Sequence, residues 1–361
     1  IKSLNFFKTV DQKISDTDDL NTKIIDIFVE EKPTGEISAT AGFGTSGGSI
    51  GFGIKENNFI GKGVSLDSNF LLSEESFKGK FSVTNPNYNN SDKSLYVSLL
   101  ASEDDNMEKF GYKSNKTGFN IGTNFEYLDD FRLGLGTSNF YEVIKTDSTA
   151  SKTQQDQKGN YWDSFLDIDF NYDKRNQKFQ TSSGFLSYYA INLPLISEKN
   201  TLRNHYNYSN YFDLYNQNIS SISFMLKSAN SLTNDNVKLS ERINIPSKKL
   251  RGFEAGRVGP KDGDDFIGGN FAAAINFSST LPQFFEESQN IDLLFFFDVA
   301  NIWGVDYDSA LDDEGSIRSS TGFALDWFTP IGPLNFSLAL PITKKNGDKT
   351  ETFRFNLGTS F

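Results

Sequence analysis

Two stretches of this 361-residue chain carry residue types that do chemistry in other proteins. Gly42-Phe43-Gly44-Thr45-Ser46-Gly47 has the spacing G-x-G-x-x-G, and Gly44-Thr45-Ser46-Gly47-Gly48 has the spacing G-x-S-x-G. The first cradles a pyrophosphate when a helix follows and aims its N-terminus at the anion. The second raises a nucleophilic serine on a strand-to-helix elbow served by a histidine base. Here the chain continues as Ser49-Ile50-Gly51-Phe52-Gly53, apolar at alternate positions, which predicts a strand instead. The single histidine, His205, lies in the Tyr-rich run Asn204 to Tyr215 and has no His or Cys companion for a metal. A glycine-rich hairpin turn is therefore expected around Ser46, with no catalytic residue and no enzyme activity. Asp104-Asp105, Asp264-Asp265 and Asp312-Asp313 read as solvated loop charge, and no metal or cofactor is expected.

The second stretch is Leu250-Arg251-Gly252-Phe253, inside a polar segment from Thr233 to Ile267 that contains Pro246, Gly256, Gly259, Pro260 and Gly263. So long a segment without strand or helix periodicity is uncommon in a compact fold unless the loop has a job. Downstream, Phe295-Phe296-Phe297-Asp298-Val299-Ala300 sets one acid in an aromatic strand, and alternation puts Phe296, Asp298 and Ala300 on one face. An acid there needs a counter-charge if that face is shielded from water. Arg251 is the expected partner. Asp326 shares a face with Gly322 and Ala324 and is expected to point inward and join the same network.

Positioning such a pair calls for a wall, and the composition describes one. The chain holds 35 Phe, 14 Tyr and 29 Gly, yet no run of about 18 apolar residues that could form a transmembrane helix. From Gly35 onward apolar and polar residues alternate, as in Phe119, Ile121, Phe125 and Tyr127 against Asn120, Gly122, Asn124 and Glu126. Trp162 to Tyr172 and Phe353 to Phe361 repeat the pattern. Runs of about ten to fifteen residues exceed ordinary strands and suit tilted membrane strands. Aromatics near run ends (Phe59, Tyr88, Tyr127, Trp162, Tyr215, Trp303, Trp327) fit interfacial girdles. The segmentation predicts about sixteen strands, with short turns such as Asp129-Asp130 and longer exterior loops at Asp104 to Lys113 and Thr146 to Gly159. A net charge of -12 argues against nucleic-acid binding, and the absence of cysteine excludes a disulfide framework.

Taken together, these motifs resemble the POTRA-plus-barrel transporter superfamily, and within it the branch that assembles outer-membrane proteins. The resemblance rests on Arg251-Gly252-Phe253 for the lumen-entering RGF loop, Phe296-x-Asp298 for an F-x-D-x-G strand with Ala300 in place of Gly, and Asn58-Phe59-Ile60-Gly61-Lys62-Gly63. It extends through Thr84-Asn85-Pro86, Asp173-Lys174-Arg175-Asn176 with Gly184, and Phe328-Thr329-Pro330-Ile331-Gly332-Pro333-Leu334. At the start, Asn5-Phe6-Phe7-Lys8-Thr9-Val10 resembles the close of a last POTRA domain.

The resemblance implies an all-β fold: a transmembrane antiparallel barrel of about 16 strands over residues 34–361, preceded by a partial α+β POTRA domain over 1–33, with the loop 233–267 inserted in the lumen. The chain is expected to be a fragment of a longer protein. The implied activity is insertion of client barrel proteins through a lateral seam between the first strand, about Gly35 to Gly44, and the last, about Phe353 to Phe361. Gly35, Gly42, Gly44, Phe353, Phe355, Gly358 and Phe361 are the expected seam residues. Implied partners are client outer-membrane proteins, outer-membrane lipid and lipopolysaccharide, and accessory assembly lipoproteins. Two alternatives stay open: a two-partner or TamA-type secretion pore, and a passive porin-type channel.

Overall fold

The structure is a computed structural model, which describes residues 6–17, 22–45, 47–178, 180–215, 218–281, 290–329 and 332–357. The alternating pattern becomes strands throughout. β1 (Phe7–Asp16) and β2 (Lys23–Glu31) pair as an antiparallel sheet separate from the barrel. Next come β3 (Gly35–Gly44), β4 (Gly47–Phe59), β5 (Val64–Ser73), β6 (Ser76–Asn85), β7 (Ser94–Asn106) and β8 (Tyr112–Leu128). β9 (Phe131–Thr146), β10 (Gly159–Asp173), β11 (Gly184–Ser197), β12 (Thr201–Tyr215) and β13 (Asn218–Ser231) continue the wall. A long connection holding the two-residue strands β14 (Lys261–Asp262) and β15 (Asp265–Phe266) leads to β16 (Phe271–Thr280), β17 (Ile291–Trp303), β18 (Arg318–Thr329), β19 (Gly332–Thr343) and β20 (Phe353–Leu357). β20 returns to β3, and every neighbour pair is antiparallel, so β3 to β13 and β16 to β20 form one closed barrel of sixteen strands.

Each strand sorts its residues as the period of two demands. In β17, Phe296, Asp298, Ala300 and Ile302 are buried inside, whereas Phe297 is exposed outside. Ile37, Ile50, Leu72, Leu99, Leu226, Leu338 and Leu340 are likewise exposed on the outer face. In water such a belt would be a liability, and against acyl chains it is the requirement for a membrane barrel.

Two turns show local chemistry fixing the chain's path. At the β4–β5 turn, Ile60, Gly61 and Gly63 adopt φ of 49°, 68° and 66°, and the Gly63 amide donates to Asn58 Oδ1 at 2.7 Å. After β10, Arg175 donates from two nitrogens to the carboxylate of Asp173, each at 2.8 Å. Gly184 sits there at φ +91°, where a Cβ would lie 2.1 Å from the Lys174 carbonyl oxygen.

Half of the expected exterior loop from Asp104 to Lys113 is strand. β7 and β8 pair through Asp105↔Lys113 and Asn106↔Tyr112, leaving a single helical turn at Met107–Phe110. Lys113 bridges Glu103 at 2.5 Å and Asp105 at 3.3 Å, so charges that read as loop are neutralised across the ladder. The segment Thr233 to Ile267 also holds more order than its sequence shows: 3-10 turns at Leu239–Glu241 and Ser247–Lys249, and the small β14–β15 hairpin.

Candidate functional site

A sixteen-stranded ring leaves a lumen wider than wall side chains can fill. The connection between β13 and β16 occupies it. Val237, Ile243, Ile245, Leu250, Phe253 and Val258 of the loop form one buried cluster with inward residues of the wall, including Met225, Ala229, Ala272, Ala274, Ala300 and Ile302. The small wall residues make room for the large loop residues. Ala300, standing where a glycine was expected, fits because its methyl belongs to this apolar contact.

Arg251 and Asp298 meet at the centre of this plug. Asp298 is fully buried and receives four donors: the Arg251 amide at 3.0 Å, Arg251 Nε and Nη2 at 2.8 Å each, and Asn276 Nδ2 at 2.9 Å. Every lone pair that burial strips of water is thereby answered, the condition under which a buried carboxylate is tolerated. The guanidinium also lies 3.6 Å from the centroid of the Phe296 ring, so Phe296 holds the cation from one face while Asp298 holds its edge. Ser320 of β18 donates to the Arg251 carbonyl, and Asn276 donates to the Lys249 carbonyl at 2.9 Å. Lys249, next in this pocket, is held below its ordinary pKa by burial and by Arg251, against the opposing pull of Asp298.

Gly252 permits the close approach. Its φ is +87°, and a Cβ would lie 3.1 Å from Ala339 Cβ and 3.3 Å from Ser320 Cβ. Gly252→Ala is expected to cost about 1–3 kcal/mol through left-handed strain and overpacking. A lowered temperature of conversion from the compact, SDS-resistant form to the unfolded band on gels would show it; an unchanged temperature would refute it.

Asp326 does not join this network. It faces the interior, but its carboxylate accepts from Asn335 Nδ2 at 2.7 Å. Asp298 lies opposite Ser320, six positions along β18 from Asp326, a separation of about 20 Å at strand rise. Sharing a face does not bring two residues to the same depth.

The loop is anchored to a second wall that the sequence did not reveal. Lys238, with no exposed side-chain surface, reaches Glu142 of β9 at 3.1 Å and Glu241 at 3.7 Å, and contacts Asp163 of β10. Burial alone would lower the pKa of Lys238, but the carboxylates of Glu241, Glu142 and Asp163 outweigh it and hold the pKa above its ordinary value. One end of the loop is thus bonded to β9 and β10 and its centre to β17, as a crossbar through the lumen. Above it, Arg257 pairs with Glu108 at 2.9 Å, and Tyr307 donates to Asp262 at 2.9 Å, so other loops close over the plug.

The other site is the closure of the ring. Among the described residues, β20 and β3 share two register pairs, Asn356↔Gly44 and Leu357↔Phe43, whereas β18 and β19 are paired from Thr329↔Gly332 to Ser319↔Thr343. Thr45 adds one bond, its amide donating to the Phe355 carbonyl at 3.0 Å. Gly44 makes even this contact possible: a Cβ would lie 2.4 Å from the Phe355 oxygen. At Gly42 a Cβ would lie 3.2 Å from the Leu357 oxygen. Gly35 is at the far end of β3, opposite Glu56 of β4, away from the described contact. Phe353 and Phe355 lie opposite Leu338 and Phe336 of β19, with the two Phe rings 5.1 Å apart. Ser46, Gly358 and Phe361 lie outside the described residues.

Comparison with known proteins places this geometry among relatives. The model of the "Omp85 superfamily domain" matches residues 58–361. Outer membrane protein assembly factor BamA of Neorickettsia risticii (strain Illinois) is 24% identical over 371 residues, covering 100% of this chain and 50% of that protein. The crystal structure of BamA from Haemophilus ducreyi lacking POTRA domains 1-3 superposes with a TM-score of 0.89 at 24% identity, over 100% of this chain and 76% of that one. CdiB from Acinetobacter baumannii gives a TM-score of 0.59 at 11% identity, over 99% of this chain and 66% of that one. The chain spans about half the length of the curated BamA relative it matches.

Proposed function

Because the chain belongs to the Omp85 superfamily and forms an outer-membrane β-barrel, we propose that it is the insertase core of an assembly machine for other outer-membrane barrels. The observation that carries this reading is the closure between β3 and β20, where Gly42 and Gly44 face the backbone of β20 and the described residues share two register pairs. In a bilayer an unpaired strand edge has no water to satisfy it, so closed barrels pair their strands fully. When this seam parts, the exposed edge of β3 offers its amides and carbonyls to an incoming strand. The work is done by backbone hydrogen bonds and needs no catalytic side chain, nucleotide or cofactor.

In this reading the Arg251–Asp298 pair braces the wall on the β17 side while the seam moves. Residues 1–33, whose β1–β2 sheet stands apart from the barrel, are the end of a POTRA domain that delivers clients. The partners are unfolded client barrels, the surrounding lipid with its lipopolysaccharide, and accessory lipoproteins. Relatives named for outer-membrane protein assembly support the reading, as does a lumen filled by its own loop, which a passive diffusion channel does not need.

The test is reconstitution. The full-length protein in liposomes is expected to accelerate folding of an added unfolded client barrel, read as its SDS-resistant fast-migrating form, well above protein-free liposomes. Steady solute efflux with no acceleration of client folding would sink the proposal and favour the porin reading. Export of a soluble passenger without client folding would favour a secretion pore.

A further inference from the structure

β20 has two edges, and the described contacts on its seam edge are sparse. A further hold comes from a third direction, the lumenal loop. Arg354, which alternates with the outward Phe353 and Phe355, is buried to 8% exposure. It donates from Nη2 to the Phe253 carbonyl at 2.9 Å and from Nε to Glu351 Oε2 at 2.8 Å. The strand carrying the seam is therefore bonded through Arg354 to the residue after Arg251-Gly252.

The turn preceding β20 runs alongside the same loop. Phe253 and Thr350 form an antiparallel bridge, and the Glu351 amide donates to the Gly252 carbonyl at 3.0 Å. The Glu254 amide donates to the Lys349 carbonyl at 3.1 Å, and the Lys349 amide to the Arg257 carbonyl at 3.0 Å. Asp348 accepts the Gly259 amide at 3.3 Å and the buried Arg318 Nε at 2.9 Å. Residues 348–354 thus form a small ladder with residues 252–259.

We propose that Arg354 is a positioning residue that fastens the last strand to the lumenal loop, so that loop and seam hold or release together. Asp298 grips Arg251, Arg251 leads to Phe253, and the Phe253 carbonyl grips Arg354. The seam is in this way secured from inside the barrel, by a chain of charge-assisted bonds ending on the wall at β17. Loosening any link loosens β20, whereas β8 to β10, far round the ring, keep their long ladders.

Hydrogen exchange of the intact protein in lipid nanodiscs, followed by mass spectrometry, tests this. The proposal goes beyond the insertase reading and its test involves no client, so the two succeed or fail separately. Arg354→Gln is expected to speed amide exchange in residues 353–357 about tenfold, as loss of a charge-assisted bond implies, with β8 to β10 unchanged. Asp298→Asn, whose side chain does not touch β20, is expected to speed exchange in the same residues. The double variant should exchange little faster than the faster single variant, because the links act in series. Unchanged exchange in β20 for Asp298→Asn, or an equal rise throughout the barrel for Arg354→Gln, would overturn the proposal. If Arg354→Gln does not fold, Glu351→Gln is decisive: it releases Arg354 from its carboxylate, and should give the same local rise at smaller size or else refute the clamp.

Discussion

Asp298→Ala is expected to lower the temperature at which the barrel loses its SDS-resistant form by roughly 5–10 °C, from a loss of about 3–5 kcal/mol. The magnitude follows from what is left behind. The carboxylate is fully buried and is the acceptor for three Arg251 donors and one Asn276 donor. Truncation strands a guanidinium that is 19% exposed against the Phe296 ring, too enclosed to be rehydrated without moving the loop. Asp326→Asn is the internal control. Its described hydrogen-bond partner is a neutral Asn335, so the amide substitution should leave the transition within about 2 °C, as for a site outside any buried ion pair. Equal transitions for Asp298→Ala and wild type would show that the plug does not depend on this pair.

A disulfide across the seam is expected to abolish client insertion while leaving the barrel folded. The register places Phe43 directly opposite Leu357, with Cα atoms at a spacing of about 5.5 Å for a hydrogen-bonded antiparallel pair, inside the range a disulfide spans. The chain has no cysteine, so Phe43→Cys with Leu357→Cys has no competing thiol. Phe43 is 62% exposed on the outer face, so the staple leaves the lumenal plug untouched. Oxidised protein should fold no client above the level of empty liposomes, and reductant should restore the reduced rate. If the fully cross-linked protein inserts clients at the reduced rate, the edge of β3 is not the template.

The period of two was enough to read the wall, because a membrane barrel sorts its residues by face along every strand. The Arg251 to Asp298 pairing was legible for a related reason: a lone acid on an inward face requires a counter-charge, and the glycine-flanked arginine in an overlong loop was the available one. Depth and register were not legible. At the seam, the alternation marks faces but not that Phe43 lies opposite Leu357 or that the Phe355 carbonyl meets the amide of Thr45. Asp326 failed in the same way, on the correct face at the wrong height. Lys238 could not be found at all, since its wall partners Glu142 and Asp163 are 96 and 75 residues away and no local pattern marks a loop lysine as buried. Arg354 was legible as inward-facing from its place between two phenylalanines. What it bonds depends on the path of a distant loop, which no short-range pattern encodes.

The crossbar has a consequence for the cell as a container. A sixteen-stranded cylinder without filling is a water-filled hole through a membrane whose purpose is to keep bulky toxic solutes out. Here the barrier is supplied by a segment tied to β9 and β10 by Lys238, to β17 by Arg251 and to the last hairpin by Arg354. A cell carrying a variant that frees one of these ties, even with client assembly intact, would leak. It should become sensitive to large antibiotics and dyes that the intact envelope excludes.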